Sequence, residues 1–102
     1  MTTMKKIRVW EGRKGWQRNK YNKTYTFVGE QIGFWSDGHP AFHNRGTAFW
    51  VYRTKKGEIV IHKVHWTKWT TEEDEGTFFK FANLDEAAAA GFSTILKNAR
   101  VI

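Results

Sequence analysis

The chain contains no cysteine, and this absence excludes several kinds of site at once. Disulfide bonds, thiolate metal sites and a cysteine nucleophile all need a residue that the sequence lacks. Because small secreted domains commonly depend on disulfides, a cysteine-free chain indicates a reducing compartment. We therefore expect a cytoplasmic protein.

Proline and long hydrophobic runs are also scarce. No apolar run approaches the ~20 residues that a membrane helix needs, and the basic start of the chain is followed only by a short apolar alternation at Ile7 and Val9. We therefore expect neither a membrane segment nor a signal peptide. With one proline in 102 residues and no linker-like stretch, the sequence predicts a single domain over 1–102.

Aromatic residues, in contrast, are abundant: they make up 17% of the chain and include six Trp. Disordered chains have few aromatic residues, so most of this chain should fold. Segments that alternate or are rich in β-branched and aromatic residues are separated by turn-forming residues. They predict strands over 5–10, 24–35, 47–54, 58–70 and 77–82, with 11–23 as a loop or a mobile hairpin tip. Gly29 and Gly33 interrupt the second strand and suggest a bulge, a bend or close approach of another backbone.

The residues after Asn83 predict a helix over 84–99. Asn83 is a suitable N-cap, and Glu86 three positions later completes a capping box. Gly91 falls in the middle of this helix, where it costs ~1 kcal/mol relative to alanine, and we expect it to allow close contact with the sheet. One apolar stripe recurs at helical spacing and should face the core: Leu84, Ala88, Phe92, Ile95 and Ala99.

Both faces of the second strand are apolar, and this pattern decides the fold class. Regular alternation puts Val28, Ile32 and Phe34 on one side. It puts Tyr25, Phe27 and Trp35 on the other. In the third strand, Phe49 and Val51 likewise oppose Trp50 and Tyr52.

One helix can cover only one face of a sheet. We therefore predict an α+β fold of about five mostly antiparallel strands, in a curved sheet or a small, partly open barrel, with one C-terminal helix packed on it. Barrel closure is the favoured way to cover the second face. An exposed aromatic platform and a homodimer interface are the alternatives, so the sequence is compatible with a monomer or a homodimer.

The net charge of +7 is concentrated near the start of the chain. Residues 5–23 hold eight basic residues and one acidic residue, whereas residues 72–86 hold six acidic residues and one lysine. Basic surfaces attract phosphate-bearing or acidic partners. The basic segment therefore indicates nucleic acid, a nucleotide or an acidic protein as partner.

Basic and aromatic residues are interleaved in this segment, which is typical of nucleic-acid binding. Cations neutralise phosphates, and flat rings such as Trp16 stack on bases. The alternative is a solvated loop whose aromatic rings fold back onto the core. The predicted ligand-binding residues are Arg8, Arg13, Lys14, Trp16, Arg18, Lys20, Tyr21, Lys23, Trp50 and Tyr52.

Residue patterns for metal binding or catalysis are weak. His39 and His43 have a spacing that suits a metal only on a helix, and the neighbouring Gly38 and Pro40 disfavour a helix. The acidic run 72–75 lacks the alternating spacing of a calcium loop and reads as a solvated turn. We therefore predict no metal, no cofactor and no catalytic residue.

The leading hypothesis is a non-enzymatic binding protein for nucleic acid or a phosphate-bearing nucleotide ligand. One alternative is a phage-type protein inhibitor of a host or defence enzyme, which acts by protein–protein binding. A second alternative is a small metal-independent ribonuclease, which needs only a base and a cation near the phosphate. His43 with Arg45, or His65 with Lys63, are the residue pairs available for that chemistry.

Overall fold

The computed structural model describes residues 4–14, 23–38, 43–69 and 74–102. These residues form β1 (Lys5–Lys14), β2 (Lys23–Ser36), β3 (Arg45–Thr54), β4 (Ile59–Thr67) and β5 (Asp74–Phe81). A C-terminal helical segment follows, with α1 (Leu84–Ala87), a turn over Ala88–Phe92 in which the helix is kinked, and α2 (Ser93–Asn98).

The strands form a closed barrel in chain order, in which each strand is antiparallel to its neighbours. The end of β1 pairs with the start of β5, from Gly12 opposite Gly76 to Lys14 opposite Asp74, and this contact closes the barrel. Barrel closure, the favoured prediction, is therefore confirmed. The prediction that residues 11–14 form a loop is wrong, because Glu11 pairs with Lys23 of β2 and residues 12–14 pair with β5. The predicted acidic turn is wrong at Asp74 and Glu75, because both residues belong to β5. Residues 15–22 of the predicted loop lie outside the described residues.

β2 is long enough to serve two partners and carries a bulge where it passes from one to the other. Its first half pairs with β1 and its second half pairs with β3, with a register shift between Gln31 and Gly33. A Cβ at Gly33 would collide with Val101 and Ala99, so the bulge lies where the C-terminus crosses closely.

The bulge reverses which side each later residue of β2 faces. Phe34 pairs with Trp50, on the barrel side, whereas Trp35 packs against the core cluster under the helix. The sides predicted for Phe34 and Trp35 are therefore wrong. A bulge adds one residue to the strand, and regular alternation cannot anticipate it.

The protein has two apolar layers, one inside the barrel and one between the barrel and the helical segment. β4 contributes to both, which is why Ile59, Val60, Ile61 and His62 are all buried. The layer under the helical segment contains Phe49, Val51, Ile59, Ile61, Ala87, Leu96 and Ala99. The barrel interior contains Ile7, Val9, Ala48, Val60, His62 and Val64.

The helical segment begins as predicted, with the Asn83 side chain accepting a hydrogen bond from the Glu86 backbone N–H at 2.9 Å. The Glu86 carboxylate accepts a hydrogen bond from the N–H of Ala82, the residue before the N-cap, at 3.0 Å, in place of the N-cap N–H that a capping box uses. Within 4–14, 23–38, 43–69 and 74–102, no helix has the length and apolar character needed to cross a membrane.

The helical segment is kinked at Gly91, whose φ of 107° lies outside the helical region. A Cβ at this position would meet no atom within 4 Å, so the expected close contact of Gly91 with the sheet is wrong. The kink also changes which residues reach the core. Leu96, which lies off the predicted stripe, is fully buried, whereas Phe92 and Ile95 are only partly buried against the core cluster.

Candidate functional site

A pocket of about 550 Å³ lies between β2, the β3–β4 turn and β5. Its volume falls in the range of ~300–1,000 Å³ that is usual for small-molecule sites in proteins. Four elements contribute its walls: Tyr25, Thr26, Phe27 and Val28 from β2, Thr54, Lys55, Lys56 and Glu58 from the turn and its flanks, Val60 from β4, and Phe78 and Lys80 from β5.

Aromatic rings from β2 and β5 form one apolar wall of this pocket. Tyr25 and Phe78 stack with ring centroids 4.5 Å apart and an interplanar angle of 15°. The strands that carry them are not hydrogen-bonded neighbours, so barrel closure is what brings the rings together. The Tyr25 hydroxyl donates to the Glu11 carboxylate at 3.3 Å, which orients the ring from β1.

Phe27 forms the adjacent part of the wall and is supported from behind by Tyr52. The two rings meet edge to face, with centroids 5.6 Å apart and an interplanar angle of 72°. Burial raises the pKa of the Tyr52 hydroxyl above its ordinary value of 10.0, so Tyr52 is neutral at physiological pH. Tyr52 therefore positions a pocket residue without lining the pocket itself.

Lysines form the rim of the pocket. Lys55 and Lys56 are exposed in the β3–β4 turn. The Thr54 N–H donates to the Glu58 carbonyl at 2.9 Å, the Glu58 N–H donates to the Thr54 hydroxyl at 3.1 Å, and the Lys55 N–H donates to the Val28 carbonyl at 2.8 Å. Lys80 pairs with Glu58 at 3.3 Å. With three lysines and one glutamate on its lining, the pocket favours an anionic ligand group at its mouth.

A separate aromatic cluster surrounds His62 inside the barrel. Its ring lies edge-on to Trp10 at 5.4 Å and tilted to Trp50 at 5.9 Å. His62 Nε2 donates a hydrogen bond to the Trp10 carbonyl at 2.9 Å, since a carbonyl oxygen can only accept. Burial lowers the pKa of His62 below 6.5, and the hydrogen bond to Trp10 opposes this shift. His62 therefore ties β4 to β1 as a neutral side chain.

None of the predicted ligand-binding residues whose side chains the structure describes lines the pocket. Arg8 and Lys23 are exposed on β1 and β2, outside the pocket lining, while Trp50 and Tyr52 are half-buried in the barrel. The backbone of Arg13 and Lys14 belongs to β1, and the structure does not describe their side chains. The remaining predicted residues, which are Trp16, Arg18, Lys20 and Tyr21, lie outside the described residues.

Sequence reasoning missed the lysines and rings that line the pocket, although part of the signal was present. The β3–β4 turn was predicted, and Tyr25 and Phe27 were placed on one side of a strand. The missing element was the three-dimensional register, since pairing of β3 with β2 puts the turn lysines beside Val28, and closure of the barrel brings Phe78 to Tyr25.

Only some of the histidine and acidic residues considered for catalysis or metal binding lie in the described part of the chain. His65 and Lys63 are both exposed on the outward side of β4, and the His65 Nδ1 lies 3.2 Å from the Thr47 hydroxyl. His39 lies outside the described residues. Within the described part of the chain, no group of three or more His, Asp or Glu side chains could hold a metal ion.

No protein-family model matches the chain, and no curated protein sequence or solved structure matches it either. The fold and pocket together define a small closed antiparallel barrel with a helical segment on one side and an aromatic, lysine-rimmed pocket.

Proposed function

We propose that this protein is a non-enzymatic binding protein for a phosphate-bearing nucleotide unit, either free or within a nucleic acid. The pocket would take the base against the aromatic wall, and the rim lysines would hold the phosphate. The observation that carries this proposal is the combination of stacked rings and lysines around one pocket of about 550 Å³.

The shape and polarity of the wall suit a flat ring. Tyr25, Phe27 and Phe78 are apolar surfaces that accept any base by stacking, which contributes ~1–3 kcal/mol per base in single-strand binding proteins. Thr26 adds an exposed hydroxyl group at the same pocket, which can hydrogen-bond a base edge or a sugar.

The rim lysines supply positive charge, and the described residues around them do not form a group of acid, base and nucleophile suited to catalysis. Lys55 and Lys56 are exposed in the turn, where a phosphate can reach them without entering the apolar part of the pocket. Among the described residues that line the pocket there is no histidine, and Glu58 is engaged by Lys80. This chemistry supports binding of a phosphate in preference to its transfer or hydrolysis.

Calorimetric titration with thymidine monophosphate and with thymidine tests the proposal. The monophosphate should bind more tightly than the nucleoside. Lys55→Gln/Lys56→Gln should remove most of that difference, about tenfold or more in affinity, because a hydrogen bond to a charged group contributes ~1.5–3 kcal/mol. Phe78→Leu should weaken both ligands by about tenfold through lost stacking.

Lys63→Gln/Lys97→Gln is the matched control, because it removes the same charge from exposed lysines that do not line the pocket. This control should bind both ligands like the parent protein. The proposal fails if neither ligand binds, or if the pocket and control variants lose the same affinity for the monophosphate.

A further inference from the structure

The outer face of the β1–β2 pair continues the lysine rim of the pocket. In the register of these strands Lys6 stands opposite Val28 and Arg8 stands opposite Thr26. Directly opposed residues of an antiparallel pair lie on the same face with Cβ atoms ~4.5–5.5 Å apart. All four side chains are exposed, and Thr26 and Val28 also line the pocket.

The same stretch of β2 contacts the β3–β4 turn along the strand edge that faces away from β1. The Lys55 N–H donates to the Val28 carbonyl at 2.8 Å, so the turn lysines flank Val28 opposite Lys6. The pocket rim and the strand face therefore form one continuous surface. Its order across the molecule is the turn lysines, then Thr26 and Val28, then Lys6 and Arg8.

From this arrangement we infer that the ligand is a single-stranded oligonucleotide, with one base in the pocket and its backbone running from Lys55 and Lys56 across Thr26 and Val28 to Lys6 and Arg8. The inference rests on the proposed function and deepens it. A single nucleotide whose phosphate lies on the turn lysines makes no use of Lys6 and Arg8. A chain of phosphates uses both sets of cations.

The aromatic wall favours a single strand over a duplex. Bases in a duplex are stacked on one another, and their faces are not available to Tyr25 or Phe78 unless the duplex opens. Stacking rings beside a basic track are instead the usual means of binding unpaired strands with little dependence on sequence.

Fluorescence anisotropy with a labelled oligothymidylate of about ten nucleotides tests the path, since single-strand sites in small barrels cover ~4–16 nucleotides. Three variants each remove two charges: Lys6→Gln/Arg8→Gln, Lys55→Gln/Lys56→Gln and the control Lys63→Gln/Lys97→Gln. Thymidine monophosphate, a duplex of the same length and a polyglutamate peptide serve as comparison ligands. Circular dichroism checks that each variant is folded.

We expect Lys6→Gln/Arg8→Gln to weaken oligothymidylate by about tenfold or more at low salt, while its affinity for the monophosphate is unchanged. The slope of log affinity against log salt should fall by about 1.4, because each phosphate contact on a single strand contributes ~0.7. Lys55→Gln/Lys56→Gln should weaken both ligands, and the control should weaken neither.

Two results would overturn the inference and leave the proposed function standing. In one, the monophosphate binds at the pocket but Lys6→Gln/Arg8→Gln weakens oligothymidylate no more than the control does. In the other, the duplex or polyglutamate binds as tightly as the single strand. Failure of both the monophosphate and the oligonucleotide to bind would overturn the proposed function, and the inference with it.

Discussion

Replacement of Gly91 by alanine tests whether the C-terminal helical segment is kinked at this residue or is a continuous helix. In a continuous helix, Gly→Ala stabilises by ~1 kcal/mol because glycine is a poor helix former. Gly91 instead has a φ of 107°, where an L-residue has its Cβ crowded by its own backbone at a cost of roughly 1–2 kcal/mol. No neighbouring atom lies within 4 Å of the added Cβ, so this backbone strain is the only folded-state penalty.

The net effect follows from these magnitudes. The strain is partly offset by ~0.4–1 kcal/mol, because alanine has less conformational freedom than glycine in the unfolded chain. We expect Gly91→Ala to lower the free energy of unfolding by about 1 kcal/mol, and Gly91→Asn to lower it less, since asparagine tolerates positive φ better. Stability should therefore rank Gly, Asn, Ala, the reverse of helix propensity.

Urea unfolding followed by circular dichroism measures this ranking. Ala89→Gly, at an exposed position of the same segment with no kink of its own, is the control and should cost ~1 kcal/mol as in an ordinary helix. An increase in stability for Gly91→Ala would mean that the segment is a continuous helix, and it would refute the kink.

Two further predictions concern the two apolar layers. Leu96→Ala should lower the free energy of unfolding in urea by ~2–5 kcal/mol, because Leu96 is fully buried. Ile95→Ala should lower it clearly less, because Ile95 is only partly buried. Equal losses would indicate an unkinked helix with the predicted apolar stripe. Because burial lowers the pKa of folded His62 below 6.5, the unfolded chain takes up that proton first, so stability should fall as pH drops below about 6.5. His62→Gln should flatten this dependence in unfolding curves at several pH values, and an unchanged slope would assign the effect to other groups.

Much of the fold was predictable because it depends on local pattern. β-branched and aromatic runs marked all five strands, and the capping box at Asn83 and Glu86 marked the helix start. The apolar residues on both faces of β3 pointed to barrel closure, because one helix leaves the second face uncovered. These features depend on side-chain periodicity and backbone hydrogen bonding, which neighbouring residues largely decide.

The remaining features depend on contacts between distant residues. Gly33 suggests a bulge, but the sequence does not show that Val101 and Ala99 lie against this position or that the bulge reverses Phe34 and Trp35. The positive φ of Gly91 has no sequence signal beyond the glycine itself. The pocket forms because closure brings Tyr25 to Phe78 and because pairing of β2 with β3 brings the turn lysines to β2.

The proposed base-binding role of the pocket can be tested most directly by photocrosslinking. Oligothymidylate carrying one 5-bromodeoxyuridine would be irradiated in complex with the protein, and the crosslinked peptides would be identified by mass spectrometry. We predict crosslinks at Tyr25, Phe27 or Phe78, lost in competition with unlabelled strand. Crosslinks confined to exposed rings that do not line the pocket, such as Phe34 or Trp69, would contradict the account.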